Sequence, residues 1–138
     1  MQGLIEEGSQ EERRLQLVMP AEPEAVPVLR HSASRFAIEH GLARELVGDV
    51  ALAVSEAVTN AVKYADATGA DGVVELSGTQ RGDWLEVTVR DRGEAFGRDS
   101  ADGLGLGLTI IARLCAELKI VQEGDGTEVR MRFPLPAE

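Results

Sequence analysis

One segment constrains this chain more than any other. From Ala43 to Ala65 apolar residues recur at helical spacing. Val47, Val50, Ala51, Val54, Val58, Ala61 and Val62 all fall within about 60° of one direction on a wheel of about 100° per residue. A helix with one such stripe must bury it against another layer, and a sheet is the natural partner. On the other side lie Asp49, Leu52, Glu56, Asn60 and Lys63, within about 40° of their mean direction. Glu56 and Asn60 are four apart, so their side chains stack one turn apart. A carboxylate, an amide and an ammonium therefore point the same way. A solvated helix face would account for that by itself; Asn60 is the odd member, because asparagine forms helix poorly.

Short units surround this helix. Leu15-Gln16-Leu17-Val18-Met19 alternates as a first strand and is stopped by Pro20. Glu24 to His40 suits a helix through Val28, Leu29, Phe36 and Ile38, with Pro23 and Pro27 near its start and Gly41 past its end. After the long helix come Val73 to Gly78, a turn over Gln80 to Asp83, and Trp84 to Arg90. In the last of these Leu85, Val87 and Val89 share one face while Trp84, Glu86, Thr88 and Arg90 share the other. A glycine-rich stretch over 91–107 leads into a helix from about Leu106 to Leu118. The chain closes with Leu118 to Val121, a turn at Gly124 to Gly126, and Thr127 to Phe133, ended by Pro134 and Pro136.

The order is β-α-α-β-β-α-β-β. Short turns between strands imply a mixed, mostly antiparallel sheet, and helices that do not alternate one-for-one with strands argue against a doubly wound fold. The expectation is α+β: a two-layer α/β sandwich with a five-stranded sheet and three helices on one face. The chain of 138 residues suffices for one domain and is short for two. Residues 1–13, polar and acidic, read as a flexible tail, and residues 14–138 as a single domain.

Charge narrows the function. Fourteen basic residues against twenty-four acidic ones give a net charge of −10, which argues against direct nucleic-acid binding and against anionic membranes. A small phosphate ligand held by backbone amides stays compatible with that field. The single cysteine, Cys115, lies in an apolar helical stretch and reads as a small core residue. His31 and His40 are nine apart without a third ligand nearby, and no His/Cys cluster has metal-ligand spacing. The sequence carries no signal-peptide pattern and no apolar run of membrane-spanning length, so a cytoplasmic setting is expected.

Two further stretches can carry chemistry. Asp91-Arg92-Gly93 follows a strand directly, so it can form a turn or place a carboxylate at the mouth of a cleft. Gly103-Leu104-Gly105-Leu106-Gly107-Leu108-Thr109 opens a helix. Alternating glycines let backbone N–H groups approach phosphate oxygens, and a helix N-terminus adds partial positive charge. No Gly-Lys-Ser/Thr follows, so this is no P-loop, and the spacing is not that of a dinucleotide fingerprint. Each stretch alone also reads as an ordinary turn or a flexible loop.

In order, Glu56-Ala-Val-Thr-Asn60-Ala-Val-Lys63-Tyr64, then Asp91-Arg-Gly93, then Gly103-Leu-Gly105-Leu-Gly107 resembles the nucleotide-binding boxes of the GHKL (Bergerat-fold) ATPase and kinase superfamily. Gly126-Thr127 matches a fourth position, and the resemblance spans about residues 15–135. The wording Ser55-Glu56-Ala57-Val58-Thr59-Asn60-Ala61 is especially similar to the bacterial anti-sigma-factor serine/threonine kinases. Histidine-kinase catalytic domains rarely have this glutamate.

The resemblance implies an ATP-binding anti-sigma factor with serine/threonine protein kinase activity. It implies ATP and Mg²⁺ as cofactors, a STAS-type anti-anti-sigma protein as phosphoacceptor, and an RNA polymerase sigma factor as the sequestered partner. By this analogy Asn60 holds Mg²⁺ and Glu56 is the general base. Asp91 reads the adenine amino group, Gly93 lets the base approach, and Thr127 supports the same contact. Gly103, Gly105 and Gly107 match the lid hinge and phosphate-facing amides, and Lys63 could touch a phosphate. Two positions depart from the pattern: Ala95 stands where a second glycine is common, and the lid is short, Arg98 to Asp102. Family members commonly form homodimers, which the sequence neither supports nor excludes. The alternatives are a non-catalytic nucleotide-binding sequestration module and a switch-type serine kinase acting on a STAS scaffold.

Overall fold

The computed structural model describes residues 14–68, 72–92, 101–123 and 126–137. Its elements are β1 (Leu15–Pro20), α1 (Ala25–Glu39), α2 (Arg44–Thr68), β2 (Val73–Arg81), β3 (Trp84–Arg92), α3 (Ala101–Leu114), β4 (Glu117–Glu123) and β5 (Gly126–Pro134). The expected tail, residues 1–13, lies outside the described residues.

The β2–β3 hairpin is tighter than the sequence suggests. Arg81 pairs with Trp84 across a turn of only Gly82 and Asp83. Gly82 has φ +60°, the positive value a type II′ turn places at its first central residue, and such a turn follows the twist of the strands. Pairing therefore runs to the end of both strands.

The sheet order is β1-β2-β3-β5-β4, and all four neighbouring pairs are antiparallel. The expected mixture is not seen among these pairs. β3 and β4 do run in the same direction, but β5 lies between them, so no parallel ladder forms. One face of the sheet presents Val74, Leu76, Leu85, Val87, Val89, Val129, Met131 and Phe133, all buried. The helices cover this face, with α2 packed between α1 and α3.

α2 buries Val50, Val54, Val58 and Ala61 of the expected stripe, and Ala53 and Ala57 beside it, while Val47, Ala51 and Val62 are only partly buried; the buried face is turned by about 60° from the expected one. α1 buries Ala25, Leu29, Ala33, Phe36 and Ala37, whereas Val28 and Ile38 stay exposed. Those two lie about 100° and 180° round the helix from Leu29, so alanines take the inward places. Gly41, at φ +82°, ends α1 in the left-handed conformation that favours glycine there. α1 also approaches β2 closely: a Cβ on Gly78 would lie 2.6 Å from Cε2 of Phe36.

α3 begins and ends earlier than the expected span from Leu106 to Leu118. Its start takes in the glycines read as a loop. At its end the Cys115 amide still donates to Ile111 O at 3.2 Å, but the Ala116 amide donates to Arg132 O on β5 at 2.9 Å. That bond draws the chain off the helix into β4. Cys115 is buried, as expected of a core residue. Among the described residues no helix is long and apolar enough to cross a membrane.

Candidate functional site

The alternation of β3 places Asp91 on the helix-covered face, two residues past Val89. Its Cα partners are Val74 on β2 and Thr127 on β5. Both polar side chains are buried, Asp91 at 7% exposure and Thr127 at 1%. Gly126 precedes Thr127, and a Cβ there would lie 3.1 Å from Asp91 O and 3.2 Å from the Arg90 guanidinium. A side chain at 126 would therefore press on the strand end that carries Asp91. Sequence alone placed Gly126 in a turn; this close approach follows from strand register.

α2 packs against β3 and β5, and its polar face is not uniform. Leu52 and Lys63 are exposed, Glu56 is half-buried, and Asn60 is buried at 5% exposure. Asn60 lies about 40° further round than Glu56, toward the sheet-facing side. A solvated face thus describes Leu52 and Lys63 and fails for Asn60. Ser55 takes no part, because its hydroxyl donates to Ala51 O at 2.8 Å.

Among the described residues, Asn60 Nδ2 and Thr127 Oγ1 are buried polar atoms with no hydrogen-bond partner. Buried polar groups are almost always satisfied, and leaving one unmade costs about 1–3 kcal/mol. Asn60 and Thr127 sit on α2 and β5, which pack together. Two side chains that each carry an unpartnered buried atom thus stand on adjoining elements.

Glu56, Asn60, Asp91 and Thr127 stand on the elements that meet here. Lys63 stays on the exposed side of α2. Gly93, with Ala95 and most of the short lid, lies outside the described residues. Gly103, Gly105 and Gly107 lie within the first half of α3 rather than ahead of it.

Among the described residues no group of three or more His, Cys, Asp or Glu could hold a metal ion. A magnesium ion fits this donor set only with few protein ligands, such as the Asn60 amide oxygen, and with oxygens from a phosphate and water. That is its common mode with nucleotides.

A family model described as the histidine kinase-like ATPase domain matches residues 19–133. The match includes every site residue named above, and the chain belongs to this family. Within it, the chain belongs with the serine-protein kinases called RsbW. It is 35% identical over 140 residues to the RsbW of Bacillus velezensis, covering 90% of this chain and 87% of that protein. The Bacillus subtilis RsbW is 33% identical over the same shares. A Listeria monocytogenes RsbW is 40% identical over 83 residues, 60% of this chain and 53% of the relative, so this match spans about half that protein's length. Among solved structures, one of the RsbU and RsbW domains of a Mycobacterium tuberculosis protein gives a TM-score of 0.70 at 25% identity. It covers 88% of this chain and 32% of that one. The SiaB–SiaC complex of Pseudomonas aeruginosa gives 0.70 at 17% identity, covering 94% and 95%, and shares the fold.

Proposed function

We propose that this chain is an ATP-dependent serine/threonine kinase. It phosphorylates a STAS-type anti-anti-sigma protein in the cytoplasm and, by holding an RNA polymerase sigma factor, regulates transcription. The observation that carries the reading is the pair of orphaned buried atoms, Asn60 Nδ2 and Thr127 Oγ1, with a half-buried carboxylate, Glu56, one turn before Asn60.

Each residue then has a task its chemistry suits. The Asp91 carboxylate accepts a hydrogen bond from the adenine amino group, and Thr127 supplies a hydroxyl to the same end of the base. Gly93 leaves room for that ring. Asn60 would hold Mg²⁺ through its amide oxygen and leave Nδ2 to donate to a phosphate oxygen; the ion would offset the phosphate charge in a protein of net charge −10. Gly103, in the first turn of α3, presents its backbone N–H toward the phosphates, and Gly105 and Gly107 follow it in the helix, with Lys63 reaching the phosphates from the exposed side. Glu56 accepts the proton of the acceptor's serine or threonine hydroxyl as that oxygen bonds to the γ-phosphorus and the bond to the β–γ bridging oxygen breaks. Phosphoryl transfer needs chiefly positioning and charge stabilisation, so one well-placed base suffices. A sequestering module without catalysis has no use for that base, which favours the kinase.

Calorimetry with ATP and ADP in the presence of Mg²⁺, on the wild type beside Asn60→Ala and Asp91→Asn, tests the reading. The wild type should bind, and both variants should bind more weakly. No binding at millimolar nucleotide would remove the kinase and leave a module that acts by sequestration alone.

A further inference from the structure

α2 carries two features that the nucleotide site does not use. Gly48 lies in the second turn, exposed and without positive φ, and a Cβ there would meet nothing within 4 Å. No turn or close approach within the described residues calls for glycine, and almost any other residue would form helix better. Leu52, one turn on, is 49% exposed, and among the exposed large hydrophobic side chains it is the one on α2.

Positions 48, 52, 56 and 60 make a single i+4 ridge, which drifts round the helix by about 40° at each step. Exposure falls along it: Gly48 and Leu52 are exposed, Glu56 is half-buried, and Asn60 is buried. The ridge descends from solvent to the proposed transfer site. A lone exposed leucine is ordinary. A leucine beside an otherwise unexplained glycine notch, on a ridge that ends at a candidate base, is a surface shaped for something.

We propose that Gly48 and Leu52 form the docking ridge for the phosphoacceptor protein. Leu52 enters an apolar recess of the acceptor, and Gly48 lets the acceptor's backbone lie close against α2. The inference rests on the assignment of Glu56 as the base. The occupant follows from that chemistry: Glu56 can take a proton only from a hydroxyl within about 2.6–3.2 Å. The acceptor must therefore cover Glu56, and Leu52 is only about 6 Å back along the helix. A protein surface of ordinary interface size cannot sit on one residue and miss the other.

The test uses the full chain, as wild type, Leu52→Gln and Gly48→Gln. Purified STAS-domain proteins of the host, tried one at a time with labelled ATP, are the probes. In both variants the KM for the acceptor should rise at least about tenfold, the loss expected of a docking anchor. The kcat at saturating acceptor and the affinity for nucleotide should hold. Gly48→Gln should also melt at a higher temperature, since glycine leaves the helix. Better stability with poorer docking is a combination that a merely structural role does not give. Phosphotransfer by the wild type with KM unchanged in both variants overturns the docking ridge and leaves the kinase standing. The same holds if the variants lose only sigma-factor binding or self-association. No transfer by the wild type to any of these proteins overturns the kinase reading and the ridge with it.

Discussion

Asp91 and Thr127 stand opposite one another on adjacent antiparallel strands, as Cα partners on the helix-covered face, and both are almost wholly buried. Strand alternation and register create this pair: Asp91 continues the inward face of Leu85, Val87 and Val89, while Thr127 begins that of Val129, Met131 and Phe133. Apolar residues hold every other inward place here, so two polar ones at the sheet's end mark where the core stops and a recognition surface begins.

Thr127→Val separates the two roles of that hydroxyl. Valine keeps the branched shape and removes a buried oxygen that has no partner. Stability should stay level or rise by about 1 kcal/mol, because an unsatisfied buried group is lost. Affinity for ATP and ADP should fall by about three- to tenfold, the worth of one hydrogen bond. Denaturant unfolding and calorimetry on the same preparation check both signs. A hydroxyl with no part in binding would leave affinity unchanged.

Glu56→Gln should divide binding from chemistry. The amide keeps size and helix propensity but cannot act as a base. Nucleotide affinity should remain within about twofold, while single-turnover phosphotransfer falls by about 10²–10⁴. Undiminished transfer would take Glu56 out of the mechanism and, with it, the reason for placing the acceptor over this part of α2.

The fold was legible where burial on one side writes a period into the chain. The α2 stripe and the alternation of Trp84 to Arg90 are such places. It was misread where small residues do the burying. In α1 the inward places belong to Ala25, Ala33 and Ala37, so counting large apolar residues drew in Val28 and Ile38. The bounds of α3 were hidden for another reason: its end is set by a bond from Ala116 to Arg132 on a strand formed later in the chain. Glu56, Asn60, Asp91 and Thr127 were reached through the resemblance, since a carboxylate or amide carries no mark of its task. The burial of Asn60 and the pairing of Asp91 with Thr127 depend on packing and register, which local spacing does not encode.

Gly78 should be intolerant of side chains. A Cβ at that position would meet Cε2 of buried Phe36 at 2.6 Å, so ring or strand must move. Gly78→Ala should lower stability by about 1–3 kcal/mol, as overpacking does. Phe36→Leu also destabilises, by opening space. In the double variant the new methyl occupies part of that space, so its loss should be smaller than the sum of the two single losses, with a coupling of about 0.5 kcal/mol or more. Denaturant unfolding of the four proteins measures it, and strict additivity would mean that α1 and β2 do not touch at this point.

Cys115 gives stability a dependence on alkaline pH. Burial pushes its thiol above the ordinary value of 9.0, and backbone hydrogen bonds oppose that only in part. Its Sγ–H donates to Ile111 O at 3.2 Å. Below about pH 9 the thiol is protonated in folded and unfolded chains alike, and its contribution to stability is fully present. Above that pH the unfolded chain ionises first, so the contribution is lost as pH rises toward the folded value. The stability difference between wild type and Cys115→Ala, followed by denaturant unfolding from about pH 7.5 to 10.5, should therefore be flat and then shrink, with other titrating groups cancelling. At about pH 8 alkylation by iodoacetamide should run more than about tenfold slower in the folded chain than in the unfolded one, because thiolate is the reacting form. A difference that stays constant to the alkaline limit, with equal alkylation rates in both states, would place the thiol in water rather than against Ile111.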